Sequence, residues 1–261
     1  MPPRSPARLA TFAAFGISLG LGTGCHHEPA EPAPAGHAAI TATAAATAAP
    51  PAAAPLSYRA RGNEPFWSIT LDAAELRWQT PDEASPVVWS TLTRAARADG
   101  FDIAATRNGA TLALGATRGL CRDSMSGMPY PHHVRVLLDG REFHGCGGDA
   151  IALLAASGWT VTTIGGRAAG AQAPTLRFTM EGRANGFAGC NTWMSGIRLT
   201  GEGLAFDRAA STMMACPDAE LAQERAFLDA LTQVTRHDFD AGGQLLLKAG
   251  DTTVVTAAPE R

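Results

Sequence analysis

Short β-rich runs dominate the chain from Leu56 onward, and turn signals separate them about every eight to twelve residues. Strands spaced this closely leave no room for long crossover helices, which argues against a parallel sheet. Within a run the apolar residues alternate, as Val134, Val136 and Leu138 do in "VRVLL". We therefore predict a mainly β fold class: two small antiparallel β-barrel or sandwich domains, the C-terminal one with a single α-helix.

Each half of this region has its own aromatic opening, its own cysteine pair and its own strand set. We place the boundary after residue 156, which gives an N-terminal β module over 56–156 and a second domain over 157–261. The two are expected to fold independently. "DAIALLAAS", at the end of the first module, predicts a short helix capped by Asp149.

A longer helix is predicted in the second domain over "PDAELAQERAFLDALTQV", capped by Asp218 just after Pro217. Its apolar residues recur at helical spacing and form one stripe. They are Leu221, Phe227, Leu228, Leu231 and Val234.

The N-terminus has the pattern of an export signal. Arg4 and Arg8 precede an apolar run that is too short to span a bilayer, and small residues lead to Cys25. We interpret residues 1–25 as a lipoprotein signal peptide that ends at an acylated Cys25. Gly22 stands where this pattern prefers leucine, and without lipidation ordinary cleavage would release a soluble periplasmic protein. Residues 26–55 are rich in Ala, Pro and Thr and are predicted to be a disordered tether.

The charge balance limits the partners of the protein. A formal net charge of −3 with 17% charged residues leaves no basic footprint, which argues against nucleic acid. We expect a monomer. The lipid anchor would hold it at a membrane, expected to be the outer membrane, facing the periplasm. A partner protein of the cell envelope is an open possibility.

The chain has five cysteines. If Cys25 is lipidated, four remain, two in each half, and an even number in an oxidising compartment predicts disulfides. Pairing within modules, Cys121 with Cys146 and Cys190 with Cys216, fits the division and the nearly equal spacings.

Cys190 in "NGFAGCNTWMSG" could also serve as a nucleophile or as a metal ligand. A nucleophile needs a base, and the second half offers only His237, which nothing in the sequence brings to Cys190. A metal site would need more thiols or imidazoles. Asn191 is interpreted as a turn residue that tolerates the left-handed conformation. We predict no catalytic residue and no cofactor.

The first module offers the sharper alternative, a periplasmic metal site built from His132, His133 and His144. Imidazoles near cysteine and methionine sulfur would suit copper. Adjacent histidines in a strand point to opposite faces, however, so His132 and His133 do not easily share one ion. A hydrolase relay of Ser124, Asp123 and His144 is disfavoured because no nucleophile-elbow glycines surround the serine.

Several motifs of the second half resemble the META/HslJ family of bacterial envelope proteins. "GRANGFAGCNTWMSG", "ASTMMACP", "FLDAL" and "LLLKAG" occur in the family order, from about Gly158 to Ala257. The matching residues are Trp159, Gly189, Cys190, Asn191, Thr212, Met214, Ala215 and Cys216. The resemblance implies a role in heat-shock response, antibiotic tolerance or outer-membrane upkeep, and it implies no catalytic residue.

The first half resembles an uncharacterised lipoprotein module through "RGNEPFWSI", "LCRDSMSGMPYP" and "GREFHGC". Together these features predict a non-catalytic envelope lipoprotein that binds a partner or maintains the envelope under stress. The alternatives are an inhibitor of a cell-wall or proteolytic enzyme and the histidine metal site described above.

Overall fold

The computed structural model describes residues 54–260, so the predicted signal, the lipidated Cys25 and all but the end of the tether lie outside the described residues. Nine antiparallel strands form the first sheet, in the order β4-β3-β2-β1-β9-β8-β7-β6-β5. They are β1 (Tyr58–Asn63), β2 (Phe66–Leu71), β3 (Leu76–Gln79), β4 (Val87–Trp89), β5 (Thr91–Arg97), β6 (Gly100–Arg107), β7 (Ala110–Arg122), β8 (Pro129–Leu138) and β9 (Arg141–Gly147).

The second sheet follows the order β15-β14-β13-β12-β10-β19-β18-β17, with β11 beside β10 and β16 beside β14. The helices are α1 (Ile151–Ala155) and α2 (Asp218–Thr232). The strands are β10 (Gly158–Ile164), β11 (Arg167–Ala168), β12 (Thr175–Thr179), β13 (Arg183–Phe187), β14 (Thr192–Leu199), β15 (Leu204–Phe206), β16 (Ala210–Ser211), β17 (Arg236–Phe239), β18 (Leu245–Ala249) and β19 (Thr252–Pro259).

Both sheets curl until they nearly close. In the second sheet the backbone N–H of Leu204 on one edge strand donates to the carbonyl of Thr235, just before the opposite edge strand (2.9 Å). The described fold is mainly β with two nearly closed antiparallel sheets, and the predicted fold class is confirmed.

Alternating side chains fill the inside of the first barrel. In β2, Trp67, Ile69 and Leu71 are buried while the residues between them are exposed. The rings of Trp67 and Trp78 stack with centroids 5.4 Å apart, and Phe143 meets Trp78 edge-on at 5.0 Å. All five tryptophans of the chain are buried.

Helix α2 packs its predicted stripe against the second barrel. Phe227 and Leu231 are buried in the core there, Leu228 packs against it, and Val234 is buried just after the helix ends. Leu221 of the predicted stripe is partly exposed and does not join this core. The predicted cap is wrong: Pro217 occupies the cap position with no side-chain hydrogen bond, and Asp218 is the first helical residue. An aspartate in the first turn still favours the helix, since its charge complements the positive end of the helix dipole.

Helix α1 belongs to the second core although it precedes the predicted boundary. Ile151 and Leu154 are buried among residues of the second barrel, and the indole N–H of Trp159 donates to the carbonyl of Leu154 (2.8 Å). The predicted cap is wrong, because Ala150 is the cap residue, although the Asp149 carboxylate accepts from the Ile151 N–H (3.1 Å) at the helix start. Independent folding of the two modules stays a prediction.

Among the described residues, the contacts between the two barrels include a small apolar cluster and an ion pair. Leu199 of β14 packs against a cluster on the first barrel that includes Tyr130. Arg122 donates to the carboxylate of Asp238 (Nε to Oδ1, 3.0 Å) and to the carbonyl of Phe239 (2.7 Å). Among the described residues no helix is both long and apolar enough to cross a membrane.

Candidate functional site

The Gly-Cys-Asn turn that precedes β14 is joined covalently to the segment before α2. Cys190 and Cys216 are at disulfide distance, with Cα atoms 6.1 Å apart, in agreement with the predicted pairing. Gly189 has φ of +110°, a conformation that side-chain-bearing residues rarely adopt, so a glycine is needed at this point of the turn. Cys190 is buried and bonded, and a free nucleophilic thiol is therefore not present at this site.

Asn191 connects three segments at this turn. Its backbone N–H and its Nδ2 donate to the two carboxylate oxygens of Glu224 on α2 (2.7 and 3.1 Å). Its Oδ1 accepts from the hydroxyl of Thr212 (2.8 Å) and from the backbone N–H of Met214 (2.7 Å). The predicted left-handed turn role is wrong, because Asn191 is not among the residues with positive φ. Its buried side-chain hydrogen bonds explain the asparagine instead.

Glu224 is the residue that the sequence analysis missed. It is buried, and its carboxylate is paired with Asn191 as described above. A signal for it exists: Glu224 stands three residues after Leu221 and three before Phe227, on the stripe that was read as apolar. A charged residue at such a position predicts a buried polar partner, since an unpaired buried carboxylate is costly.

Three methionines lie exposed around this turn, and we call Met194, Met213 and Met214 the methionine face. Met194 is opposite Ala210 in the pairing of β14 with β16, and Thr212 N–H donates to the Thr192 carbonyl (3.1 Å). The segment that carries the other two methionines therefore runs along the edge of β14. Met194, Met213 and Met214 are 61%, 98% and 58% exposed.

The methionine face combines flexible side chains with a fixed backbone. Methionine is unbranched and polarisable, and it adapts its shape to irregular apolar partners. The disulfide and the Asn191 hydrogen bonds hold the backbone beneath it. This arrangement is suited to contact with another molecule.

The second cysteine pair lies in a different setting. Cys121 on β7 and Cys146 on β9 are at disulfide distance, with Cα atoms 5.6 Å apart, and this agrees with the predicted pairing. Strand β8 lies between β7 and β9 in the sheet. The bridge is buried with Met128, Tyr130 and Ala150, in the cluster that Leu199 covers.

The three histidines of the metal alternative do not converge. His132 packs against Tyr58 and Phe101 (ring centroids 5.7 and 5.8 Å apart), while His133 and His144 are exposed. Burial, and then the positive charge of Arg118, lower the pKa of His132 despite an opposing hydrogen bond to Gly147. In residues 54–260 no group of three or more His, Cys, Asp or Glu side chains is arranged to hold a metal ion. Alternation along β8 explains the separation.

His237 is buried on β17, and neither ring nitrogen has a hydrogen-bond partner within the described chain. Burial lowers the pKa of His237 to about 4; the charge of Arg236 acts in the same direction and that of Asp238 opposes it. The ring is thus neutral at neutral pH. Because no solvent reaches it, a substrate could not reach it either.

The Asp123–Ser124 segment is a loop tightened by hydrogen bonds from its own side chains and backbone. Asp123 Oδ1 accepts from the N–H of Met125 and from the N–H and hydroxyl of Ser126 (3.1, 2.8 and 2.9 Å). Burial raises the pKa of this carboxyl, but the hydrogen bonds from Ser126, Asn63 and Met125 outweigh burial and lower it. A carboxylate satisfied by its own loop does not orient a histidine.

Comparison with known proteins finds a family match for the second barrel. Residues 152–261 match the family model described as the META domain, which confirms the resemblance noted for this part of the chain. No curated protein matches the chain. The NMR structure of the protein from Burkholderia xenovorans is 29% identical; the match covers 42% of this chain and 87% of that chain, with a TM-score of 0.33.

Proposed function

We propose that this chain is a non-catalytic lipoprotein of the bacterial cell envelope, which uses the methionine face of its META domain to bind an envelope protein. The META domain suggests a stress-related, HslJ-like family. The observation that carries the proposal is the exposure of Met213, at 98%, over a disulfide-braced support. Large apolar side chains that stand in water are typical of interaction surfaces.

The chemistry around the face supports binding without catalysis. The carboxylate of Glu224 is buried beneath the turn that carries the methionine face. Both of its oxygens accept hydrogen bonds from Asn191. A general base must reach the proton that it removes, and Glu224 is placed to support the backbone instead. The face can therefore hold a partner while the paired groups beneath it keep its shape.

The test is site-specific photocrosslinking in growing cells, with a photoreactive residue in place of Met213. A partner band is expected, and the further change Met214→Glu should remove it, because a carboxylate would have to be desolvated in an apolar contact. The matched control places the photoreactive residue at Met125, which is 71% exposed on the first barrel. Equal bands from both positions, or no band from position 213, would contradict the proposal.

The anchor is tested separately by metabolic labelling with palmitate. The intact chain should incorporate the label and the Cys25→Ser variant should not. The motivation is the basic and apolar N-terminal run that ends at Cys25, with Gly22 as its departure from the preferred pattern. Equal labelling of both chains, or none in either, would remove the lipoprotein part of the proposal and leave the binding part standing.

An inhibitor of a cell-wall or proteolytic enzyme is a second candidate function. The observation that favours it is the segment between Ser211, which pairs with Trp193, and Cys216, which is bonded to Cys190. A segment held at both ends and exposed between them loses little entropy on binding. Purified chain would then slow a muramidase or an envelope protease, and Met213→Glu would relieve the inhibition; inhibition that survives this change would not come from this segment.

A further inference from the structure

The open end of the first barrel contains a cleft that the methionine face does not involve. Its volume is about 390 Å³, and it lies between the β1–β2 turn, the β3–β4 loop and the β8–β9 hairpin. Phe66, Trp78 and Phe143 supply its aromatic surface. Asp82 and Arg141 lie at its edge. Mouths of β-barrels are frequent ligand sites, and pockets for small molecules measure about 300–1,000 Å³.

The floor of the cleft is fixed before any ligand arrives. Trp78 is held between the stacked ring of Trp67 and the edge-on ring of Phe143. The indole N–H of Trp67 donates to the carbonyl of His144 (3.2 Å), which prevents its ring from turning. A rigid floor keeps the shape of the cleft when a ligand binds, so little entropy is lost on binding.

Phe66 and Arg141 present complementary chemistry at the edge. Phe66 is 50% exposed, although the aromatic rings around it are buried. The guanidinium carbon of Arg141 lies 5.4 Å from the centre of the Phe143 ring, which positions the charge over the floor. Within residues 54–260 the Arg141 guanidinium has no ion-pair or hydrogen-bond partner.

The two carboxylates of the β3–β4 loop have separate roles. Glu83 Oε2 accepts from the backbone N–H of Thr80 (3.0 Å), and this bond shapes the loop. Asp82 is exposed and makes no hydrogen bond to another described residue. The cleft therefore presents one carboxylate acceptor and one guanidinium donor that the fold does not use.

We propose that this cleft binds a saccharide that carries an anionic group. The flat C–H face of a sugar ring packs on the exposed part of the Phe66 ring, above the buried aromatic floor. Its hydroxyls donate to Asp82, and the carboxylate or phosphate of the sugar is held by the planar fork of Arg141. A purely apolar ligand would leave both charged groups unused, and a polyanion would be repelled by Asp82 and Glu83.

Calorimetric titration of the full chain tests this with four probes: a neutral disaccharide, a disaccharide with a uronic acid, a sugar phosphate and a short peptide with an aromatic residue. Either anionic sugar should bind more tightly than the neutral one, and the better of the two identifies the anion. Arg141→Gln should lower that affinity roughly ten- to hundredfold, as expected for loss of a charge-assisted pair. Phe66→Ala should weaken all sugar binding.

Arg107→Gln is the matched control, because Arg107 is also an exposed arginine at a hairpin end of this barrel but does not line the cleft. It should leave the affinity unchanged. Phe66 is half exposed, so Phe66→Ala should keep the melting temperature, and this measurement separates lost binding from lost folding. Preference for the peptide, equal affinity for neutral and anionic sugars, or no effect of Arg141→Gln would overturn the proposal. None of these outcomes bears on the methionine face.

Discussion

The two barrels carry disulfides of nearly equal span, 25 and 26 residues, in different structural settings. Cys121 and Cys146 join strands of one sheet, where backbone pairing already holds the chain, and they are packed in an apolar cluster. Cys190 and Cys216 join a turn to the segment before α2, above the Asn191–Glu224 network. Loop length alone gives the two bridges the same contribution to the free energy of unfolding. Any measured difference between their contributions therefore comes from their surroundings.

Each of the two bridges supports a different surface of the molecule. The first bridge lies where Leu199 of the second barrel packs, so it supports the contact between the barrels. The second supports the methionine face, whose backbone is held by side-chain hydrogen bonds more than by strand pairing. The first barrel is consequently expected to tolerate loss of its bridge better than the methionine face tolerates loss of the other.

The largest change in stability is expected when the second barrel is produced with or without helix α1. A fragment of residues 150–261 should be more stable than one of residues 157–261, because only the longer one contains α1. Losing the burial of Ile151 and Leu154 should reduce the free energy of unfolding by roughly 3–6 kcal/mol. Urea denaturation of both fragments measures this. Equal midpoints would mean that α1 adds nothing to the second core, and the boundary predicted from the sequence would stand.

Removal of each disulfide comes next in size. Loop-closure entropy alone gives roughly 3.5 kcal/mol for each bridge, because a loop of about 26 residues is released in the unfolded chain. The double change Cys190→Ser with Cys216→Ser should reach this value and open residues 210–216 to proteolysis. Cys121→Ser with Cys146→Ser is the matched control; it should lower stability without new cleavage there. Thermal denaturation and limited proteolysis measure these effects. Peptide mapping of the intact chain without reductant identifies both bridges. Cleavage in both variants would contradict the comparison.

The features that could be predicted from the sequence are those that depend on short stretches of it. Strand alternation in "VRVLL", the α2 stripe and the cysteine pairing depend on local pattern and compartment, and they agree with the structure. The pairing of Asn191 with Glu224 joins residues 33 positions apart, and no local pattern contains both. Only the interruption of the stripe by Glu224 signals it. The packing of α1 with the second core could not be predicted either, because a short helix between two barrels has no local preference for one.

Acid should weaken the second barrel through His237. Its folded pKa of about 4 lies below the ordinary value of 6.5, so the unfolded chain binds the extra proton more readily. Stability is therefore complete above about pH 6.5 and falls towards pH 4, by roughly 3 kcal/mol for this shift. His132 in the first barrel should act in the same direction. Urea denaturation between pH 4 and 8 measures the slope, and His237→Phe should flatten it. An unchanged slope in that variant would assign the acid sensitivity elsewhere.

The hydrogen bonds of Asn191 should contribute more to the free energy of unfolding than those of Asn63 in the first barrel. Asn191→Ala leaves the buried Glu224 carboxylate with one donor fewer and should cost about 2 kcal/mol, as for hydrogen bonds to charged groups. Asn63 similarly donates to Asp123 and Ser124 (3.2 and 3.0 Å), but partly in solvent, and Asn63→Ala should cost less than about 1 kcal/mol. Chemical denaturation of the two variants compares them. A larger loss for Asn63→Ala would reverse the ranking of the two loops.

The smallest change in stability is expected at the ion pair between the barrels, and it tests whether one barrel stabilises the other. Arg122→Ala removes the pair with Asp238 and the bond to the Phe239 carbonyl, and because Arg122 is half exposed we expect a loss of about 1 kcal/mol or less. Arg118→Ala is the matched control, since Arg118 bonds only within the first barrel, to the Ala98 carbonyl (3.1 Å). Calorimetry of the full chain can show which melting transition moves. If the barrels are coupled, Arg122→Ala separates the transitions of the two while Arg118→Ala shifts only that of the first. An identical response to both changes would mean that the ion pair between the barrels does not couple them, and that each is stable by its own core and its own disulfide.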